Sequence, residues 1–392
     1  MSNTQKKNVP ELRFPGFEGE WEEKKLGDLT DRVIRKNKNL ESKKPLTISG
    51  QLGLIDQTEY FSKSVSSKNL ENYTLIKNGE FAYNKSYSNG YPLGAIKRLT
   101  RYDSGVLSSL YICFSIKSEM SKDFMEAYFD STHWYREVSG IAVEGARNHG
   151  LLNISVNDFF TIPIKYPSLE EQRKIGDFFI KLDRQIELEE QKLELLQQQK
   201  KGYMQKIFSQ ELRFKDENGE DYPEWEVTSI QDVTKYTSSK KSSNQYADKD
   251  NSKGYPVYDA VQEIGKDSNY DIEESYISIL KDGAGVGRLN LRSGKSSVIG
   301  TMGYLQPYNI DIEFLYYRMK VLNFKKYIIG STIPHLYFKD YSKETLYIPS
   351  SIKEQTKIGR FISNLDKVIE NKTLKINYLK QFKQGLLQGM FI

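Results

Sequence analysis

Two segments of the chain carry apolar side chains at the alternating three- and four-residue spacing of a coiled-coil helix. In the segment Glu171 to Phe208 these positions are Ile175, Phe179, Leu182, Ile186, Leu193, Leu196, Tyr203 and Ile207. In the segment Glu354 to Phe391 they are Ile358, Ile362, Leu365, Ile369, Ile376, Leu379, Leu386 and Met390. An a/d pattern held over about five heptads predicts two long helices, each with one apolar seam.

The start of each helix carries a second signal. Ser168 follows Pro167 and precedes Glu171 by three residues, and Ser351, in the run Pro349-Ser350-Ser351, precedes Glu354 by three residues. A serine that accepts a free backbone N–H, with a glutamate reaching back from the third position, is a capping box. The sequence therefore predicts that both glutamates cap their own helices.

The two helical segments are copies of each other. They align without a gap, and the matched positions include Glu171-Gln172 with Glu354-Gln355, Ile175-Gly176 with Ile358-Gly359, and Leu182-Asp183 with Leu365-Asp366. A shorter repeat precedes each variable region, since Glu11–Phe14 recurs as Glu211–Phe214 and each copy leads to a tryptophan, Trp21 or Trp225. The chain thus alternates variable region, repeat, variable region, repeat, which predicts two halves related by a pseudo-two-fold axis.

Polar residues interrupt both seams at matched places. Glu189 and Lys372 occupy the same a position, and Lys200 and Lys383 occupy the same d position. Polar seam residues commonly fix register and orientation, and an acid on one helix facing a base on the other could pair. We expect the two helices to pack on each other in antiparallel orientation.

The regions between the repeats mix strand and helix signals. Leu107–Ile116 is strand-like, Met120–Tyr135 and Ile312–Tyr327 are helical, and glycine-rich turns separate such runs. The predicted fold is α+β, with two globular domains separated and joined by two long helices packed as an antiparallel coiled coil, in a pseudo-two-fold internal repeat. The predicted boundaries are a first globular domain at 1–166, a central helix at 167–210, a second globular domain at 211–348 and a C-terminal helix at 349–392.

Composition excludes several classes of protein. The 57 Lys and Arg residues nearly balance the 52 Asp and Glu residues. No apolar run approaches the about 20 residues of a membrane helix, and we expect a cytoplasmic protein without a signal peptide. The single cysteine, Cys113, lies in an apolar run and is expected in the core, and the three histidines, His133, His149 and His335, lack metal-ligand spacing.

Motifs for chemistry within the chain are missing. Asp282–Gly287 has a G-x-G-x-G spacing, not the dinucleotide G-x-G-x-x-G, and the alternating segment after it predicts a hairpin. Gly294-Lys295-Ser296 lacks the first glycine of a phosphate-binding loop, and the chain has no Asn/Asp-Pro-Pro-aromatic motif of adenine methyltransferases. We therefore predict no catalytic residue and no metal site.

Basic side chains interleaved with Asn and Tyr lie around glycine-bounded hairpins and in two polar loops, Gly145–His149 and Gly330–His335, upstream of the helices. Such clusters suit phosphate anchoring and groove contacts on double-stranded DNA, although any single lysine is more often part of a solvated face. The candidate DNA-contact residues are Lys36, Lys85, Tyr87, Asn89, Tyr91, Lys97, Arg98, Arg101, Arg147, Asn148, His149, Lys240, Lys241, Arg288, Arg292, Lys295, His335, Tyr337 and Lys339.

The whole layout resembles the specificity subunit of type I restriction-modification systems. The doubled Glu-Gln-x-x-Ile-Gly helices and the Glu-Leu-Arg-Phe openings carry the resemblance. It implies that the globular domains are target recognition domains, each for one half of a bipartite asymmetric DNA sequence. It also implies that the helices set the spacer and dock two modification subunits, which methylate adenine, and that restriction subunits join them. S-adenosylmethionine, ATP and Mg would then bind to those partners, with no cofactor in this chain.

Two other functions stay open on the sequence alone. One is a bivalent DNA-binding or scaffolding protein that works without modification subunits. The other is an enzyme with unrecognised chemistry in one variable region, against which the missing motifs argue.

Overall fold

The structure is a computed structural model, which describes residues 8–50, 52–61, 69–88, 90–142, 152–246 and 253–392. Four of the predicted DNA-contact residues lie outside these ranges: Asn89, Arg147, Asn148 and His149.

The strands of the first half are β1 (Glu22–Lys25), β2 (Thr30–Arg32), β3 (Leu46–Ser49), β4 (Gly53–Asp56), β5 (Thr74–Lys77), β6 (Phe81–Asn84), β7 (Ala95–Arg98), β8 (Ser104–Leu107), β9 (Tyr111–Ile116) and β10 (Pro163–Tyr166). Its helices are α1 (Leu26–Leu29), α2 (Gln57–Phe61), α3 (Lys122–Asp130), α4 (His133–Ile141), α5 (Val156–Phe159) and α6 (Leu169–Phe208).

The strands of the second half are β11 (Trp225–Ser229), β12 (Thr234–Ser238), β13 (Tyr255–Tyr258), β14 (Glu263–Asp267), β15 (Tyr276–Leu280), β16 (Leu289–Arg292), β17 (Ser297–Val298), β18 (Met302–Pro307) and β19 (Thr345–Pro349). Its helices are α7 (Ile230–Val233), α8 (Ile312–Lys320), α9 (Phe338–Tyr341) and α10 (Ile352–Met390).

The two predicted long helices are α6 and α10, of 40 and 39 residues. The chain divides into two compact units: the first comprises Met1–Glu190 with Lys375–Ile392, and the second comprises Gln191–Leu374. Both divisions fall in the middle of a long helix. Each unit therefore contains one sheet-bearing region and a stretch of both long helices.

The two units repeat one sheet topology. The first unit has a sheet in the order β2-β9-β6-β7, and the second has the matching order β12-β18-β15-β16. In each unit a further antiparallel pair, β1 with β10 or β11 with β19, lies just before the long helix. Gly94 and Gly287, with φ of 79° and 89°, turn the chain into the matching strands β7 and β16. The internal repeat thus extends through the globular parts, whose sequences are only weakly alike.

Of the predictions for single strands, helices and turns, one is confirmed and two are wrong in part. The Asp282–Gly287 turn joins β15 to the antiparallel β16, which confirms the predicted hairpin. The single strand predicted over Leu107–Ile116 is wrong, because a turn separates the end of β8 from β9. The helix predicted over Met120–Tyr135 is interrupted at Ser131, whose backbone is extended.

The long helices belong to the cores of the units. In the first unit, Ile175 and Phe179 of α6 and Phe391 beyond α10 are buried in one cluster with the sheet-side aromatics. In the second unit, Ile207 of α6 and Ile358 of α10 are buried with Phe314 and its neighbours. Each sheet region is therefore fixed to the helices by a continuous apolar core.

Cys113 is 3% exposed, as predicted for a core residue, and burial raises the pKa of its thiol to about 12. Among the helices that the structure describes, none is both long and apolar enough to cross a membrane.

Candidate nucleic-acid interface

An arginine from the Glu-Leu-Arg-Phe motif pairs with the buried glutamate of each helix start. In the first unit, Arg13 donates from Nε and Nη2 to the two carboxylate oxygens of Glu171, at 2.8 and 2.7 Å. Glu171 is 1% exposed, and its hydrogen bond to Arg13 raises the pKa of the guanidinium group. In the second unit, Arg213 donates to both oxygens of Glu354 at 3.3 and 3.0 Å.

These contacts correct the predicted capping boxes. Ser168 does accept the backbone N–H of Glu171, at 3.4 Å, but both glutamate carboxylates accept from arginine side chains instead of capping their helices. A buried carboxylate needs a paired charge, and a bidentate arginine fulfils that need better than one backbone N–H. In each unit, the Glu-Leu-Arg-Phe repeat and the Glu-Gln-x-x-Ile-Gly repeat are therefore in direct contact.

The glutamine that follows each glutamate joins three elements. Gln172 accepts the backbone N–H of Ser121, the residue that caps α3, at 2.9 Å and donates to the carbonyl of Pro167 at 2.9 Å. Gln355 accepts the N–H of Asp311, which caps α8, at 2.8 Å and donates to the carbonyl of Pro349 at 2.7 Å. Each glutamine therefore joins its long helix to the start of the equivalent short helix, which is α3 in the first unit and α8 in the second.

The glycines of the same motif allow a close approach of these helices. A Cβ on Gly176 would lie 2.7 Å from the backbone nitrogen of Phe124, and one on Gly359 would lie 2.8 Å from that of Phe314. Real side chains do not approach a backbone so closely, so the glycine is required for this packing. Every residue type in the Glu-Gln-x-x-Ile-Gly motif thus has a contact that explains it.

The helix seams are antiparallel in both units. In the first unit Glu189 accepts from Lys375 at 3.2 Å, and Asp183 pairs with Lys383, farther along α10, at 2.7 Å. In the second unit Lys200 of α6 pairs with Asp366 of α10, and Ile207, farther along α6, is buried in one cluster with Ile358, which precedes Asp366 on α10. The predicted antiparallel packing is confirmed.

Of the seam side chains predicted from the heptads, Tyr203 is exposed at 39%, whereas the twelve assigned to the helix–helix contact are buried or half-buried. They are Ile175, Phe179, Leu182, Ile186, Leu193, Leu196, Ile358, Ile362, Leu365, Ile369, Ile376 and Leu379.

A buried charge network connects the first sheet region to its helices. Asp130, at the end of α3, accepts from Lys97 at 2.6 Å and from Lys383 at 3.0 Å. Burial alone would raise the pKa of Asp130, but the two lysines lower it to about 2. Lys97, a predicted DNA-contact residue, is thus engaged with a carboxylate of its own domain.

Arg98 is engaged in the same way. It pairs with Asp123 at 2.5 Å and with Glu126 at 3.1 Å, both on α3. Burial raises the pKa of Glu126 to about 7, against the lowering effect of Arg98. The positive charge of β7 is therefore largely compensated within the free chain.

The other described candidates of the first unit form mostly surface contacts. Lys36 and Lys85 donate to the carbonyls of Asn72 and Ile154, at 2.9 and 3.1 Å, and Tyr91 donates to that of Gly50 at 2.7 Å. Arg101 lies 3.8 Å from Glu59, and Tyr87 is 62% exposed.

In the second unit the predicted DNA-contact residues differ in whether another side chain of the unit contacts them. Lys241 pairs with Asp267 at 2.8 Å, and Arg292 lies over the Tyr258 ring at 4.1 Å. Lys295 is exposed, 3.9 Å from Glu273. His335 bonds to Asp282 at 2.7 Å. The remaining candidates are exposed on the surface: Lys240, Arg288, Tyr337 and Lys339.

A basic groove of the second unit combines the predicted residue Arg288 with two lysines that were not predicted. Arg288, Lys320 and Lys325 line an open depression of about 400 Å³ whose lining includes no acidic residue among those described. The Lys325-Lys326 pair after α8 was the available signal, but only the fold brings it beside Arg288. The described residues contain no cluster of His, Cys, Asp and Glu suited to a metal ion.

One helical framework carrying two different sheet-and-loop surfaces is the architecture of a two-site recognition protein. The chain matches the family model of the type I restriction modification DNA specificity domain twice, over residues 18–198 and 222–381. The chain belongs to this family.

Individual relatives agree with the family. Over 200 residues the chain is 29% identical to the type I restriction enzyme MjaVIII specificity subunit of Methanocaldococcus jannaschii. That alignment covers 47% of this chain and 46% of the relative, so the chain spans about half the length of the curated protein that it matches.

Solved structures share the fold over nearly the whole chain. The S subunit of a type I restriction-modification system from M. genitalium has a TM-score of 0.65 at 17% identity, covering 98% of this chain and 99% of that chain. A second structure, from work on complex assembly and conformational transition of the type I restriction-modification system, has a TM-score of 0.53 at 18% identity, covering 97% and 98%. At these identities the likeness shows a common fold.

Proposed function

We propose that this chain is the specificity subunit of a type I restriction-modification complex, in which each globular domain recognises one half of an asymmetric, bipartite DNA target. The observation that carries the proposal is the double match to the DNA specificity domain. The two matches fall on two units that share one sheet topology but differ in the residues of their surfaces. In this proposal the target recognition domains are residues 1–166 and 211–348, and the spacer helices are residues 167–210 and 349–392. The chain itself carries out no catalysis in this scheme.

The framework contacts support a spacer of fixed length. The Arg–Glu pairs and the Gln bridges recur at matched places in both units. Each recognition domain is therefore held rigidly on its helices, which is what a constant distance between two DNA half-sites requires.

Exposed basic residues support the DNA contact. Among the described residues, no carboxylate pairs with the exposed side chains of Lys36, Lys240, Arg288 and Lys339. Lys85 also has no carboxylate partner among them, but it is half-buried and donates to the carbonyl of Ile154. Exposed cations without a carboxylate partner bind phosphates by displacing counterions, so the four exposed residues are better candidates than Lys97 and Arg98.

Exposed apolar side chains on the helices support the docking of modification subunits, the partners that would bind S-adenosylmethionine and methylate adenine. In the first unit, Tyr378 and Phe382 of α10 stack at 6.2 Å and are 65% and 46% exposed. In the second unit Leu195, which the repeat matches to Tyr378, is 57% exposed. One apolar site on each unit fits a complex with two modification subunits.

The test is to co-express the chain with its modification subunits and to map N6-methyladenine across the host genome. The expected result is one split, asymmetric motif with a fixed gap. Tyr378→Asp should reduce the bound modification subunits from two to one, because a buried charge would disrupt one docking site. Methylation without a split motif would contradict the proposal, and failure to form any complex would return the chain to stand-alone DNA binding.

A further inference from the structure

A small, rigid hairpin stands on the surface of the second unit between α8 and β19. Ile329 and His335 exchange both backbone hydrogen bonds, at 3.0 and 2.7 Å. Gly330 has a φ of 89°, and a Cβ there would lie 2.4 Å from the carbonyl oxygen of Ile333. The turn therefore requires glycine, and its shape is set by the backbone.

The β15–β16 turn holds this hairpin in place. Gly283 donates its N–H to the carbonyl of Pro334 at 2.9 Å, and Leu336, which is 1% exposed, donates to the carbonyl of Lys281 at 2.8 Å. The Asp282–Gly287 turn and the Gly330–His335 loop, which are separate candidates in the sequence, are thus hydrogen-bonded to each other.

The orientation of the His335 ring is fixed through one nitrogen. Nδ1 lies 2.7 Å from one carboxylate oxygen of Asp282, and Lys281 donates to the other oxygen at 2.5 Å. Burial alone would raise the pKa of Asp282, but the hydrogen bonds from Lys281 and His335 lower it. The carboxylate is ionised and only accepts, so Nδ1 carries the proton.

The other ring nitrogen, Nε2, is an acceptor in the neutral form of the imidazole, because the proton on Nδ1 leaves a lone pair there. Among the residues that the structure describes, none bonds to Nε2, and the side chain is 36% exposed. The Tyr337 ring lies parallel to the imidazole, with centroids 6.2 Å apart. In its neutral form His335 is thus a pre-oriented acceptor on a rigid support.

The surface beside this acceptor suits a DNA backbone. The basic groove of Arg288, Lys320 and Lys325 is also lined by Ile328, the residue just before the hairpin. A site that binds phosphates next to a fixed polar group is the arrangement by which proteins position themselves on DNA and then recognise base edges.

We propose that Nε2 of His335 accepts a hydrogen bond from the exocyclic amine of one base in the major groove, N6 of adenine or N4 of cytosine. This inference rests on the proposed function, and it assigns one position of the half-site recognised by residues 211–348. Only adenine and cytosine present a donor on the major-groove edge, so an acceptor discriminates them from guanine and thymine.

Asp282→Asn provides the sharpest test. Lys281 can only donate, so it retains the amide oxygen and turns the amide NH2 toward Nδ1 of His335. Nδ1 then accepts, the proton moves to Nε2, and the ring becomes a donor. The preferred base at the affected position should change from adenine or cytosine to guanine or thymine.

The experiment compares methylation maps of the full complex carrying the wild-type chain, His335→Ala and Asp282→Asn, followed by binding to duplexes with each base at every position of the half-site. His335→Ala should lose the preference at one position and bind the original duplex about tenfold more weakly. The matched control, Lys325→Ala, should weaken binding to all sequences alike and reduce the salt slope by about one.

The outcomes separate this inference from the function on which it rests. A wild-type complex without a split motif contradicts the proposed function. A wild-type motif that His335→Ala leaves unchanged, or an Asp282→Asn variant that keeps the original base, overturns the inference alone. If His335→Ala prevents assembly, Asp282→Asn, which preserves size and a hydrogen bond, still decides.

Discussion

Replacing Arg13 by alanine should destabilise the first unit through the charge that it leaves behind. The substitution removes both hydrogen bonds to Glu171, which is 1% exposed, and those to the carbonyls of Gly19 and Glu18 at 2.7 and 3.1 Å. Breaking a buried ion pair from one side costs about 3–5 kcal/mol, because the remaining charge is neither solvated nor paired. For a unit of this size that free energy corresponds to a fall in Tm of at least about 6 °C.

The second unit provides the matched control. Arg213→Ala removes the same kind of pair, but Glu354 still accepts from Nε1 of Trp225 at 3.3 Å. In the first unit the equivalent Nε1 of Trp21 is buried without a hydrogen-bond partner among the described residues. The loss for Arg213→Ala should therefore be smaller by about 1 kcal/mol, the contribution of one retained hydrogen bond.

Hydrogen exchange of the full chain in increasing urea measures both effects, since peptides from each unit report its own opening. Adding Glu171→Gln to Arg13→Ala should recover part of the loss, because the buried charge is then gone. Equal destabilisation by the two arginine substitutions, or a loss below about 0.5 kcal/mol for Arg13→Ala, would refute this reasoning.

Three further predictions follow from particular contacts. Gly176→Ala should destabilise the chain by about 1–3 kcal/mol in urea unfolding, since its Cβ would lie 2.7 Å from the backbone nitrogen of Phe124, whereas Gly202→Ala, with no atom within 4 Å, should stabilise it by up to about 1 kcal/mol. The pKa of Glu126 is raised from 4.5 to about 7 by burial, so the folded state binds more protons in that window and stability should fall as pH rises from 4.5 to 7. Glu126→Gln should flatten this fall, and an unchanged pH profile of the urea midpoint would contradict the assignment. Inserting one heptad, about 10.5 Å of helix, at the middle of both α6 and α10 should lengthen the DNA spacer by about three base pairs. A methylation map with the original gap would show that the helices do not set the spacer.

The heptad pattern predicted most of the framework. Helix α6 spans Leu169–Phe208 and α10 spans Ile352–Met390, close to the segments marked by the a/d positions. Such periodicity needs only neighbours along one helix, and for this reason it is visible in a single sequence.

The sequence did not predict which candidate DNA-contact residues are neutralised within the chain. Lys97 and Arg98 are basic residues in a promising pattern, yet carboxylates of α3 neutralise them. Whether a lysine is free or paired depends on acids far away in sequence, and a count of local charges contains no such information. Lys320 and Lys325, which line one groove with the predicted residue Arg288, were not predicted for the same reason.

By itself the sequence determined the duplication, the two long helices and their seams, and the family, because each is written in spacings within one segment or in the identity of two segments. Only the tertiary structure decided what each motif contacts. Arg13 meets Glu171 across 158 positions, and Lys383 meets Asp130 across 253. Pairs so distant are selected by the packing of whole elements, which brings a buried charge to the one partner that can compensate it.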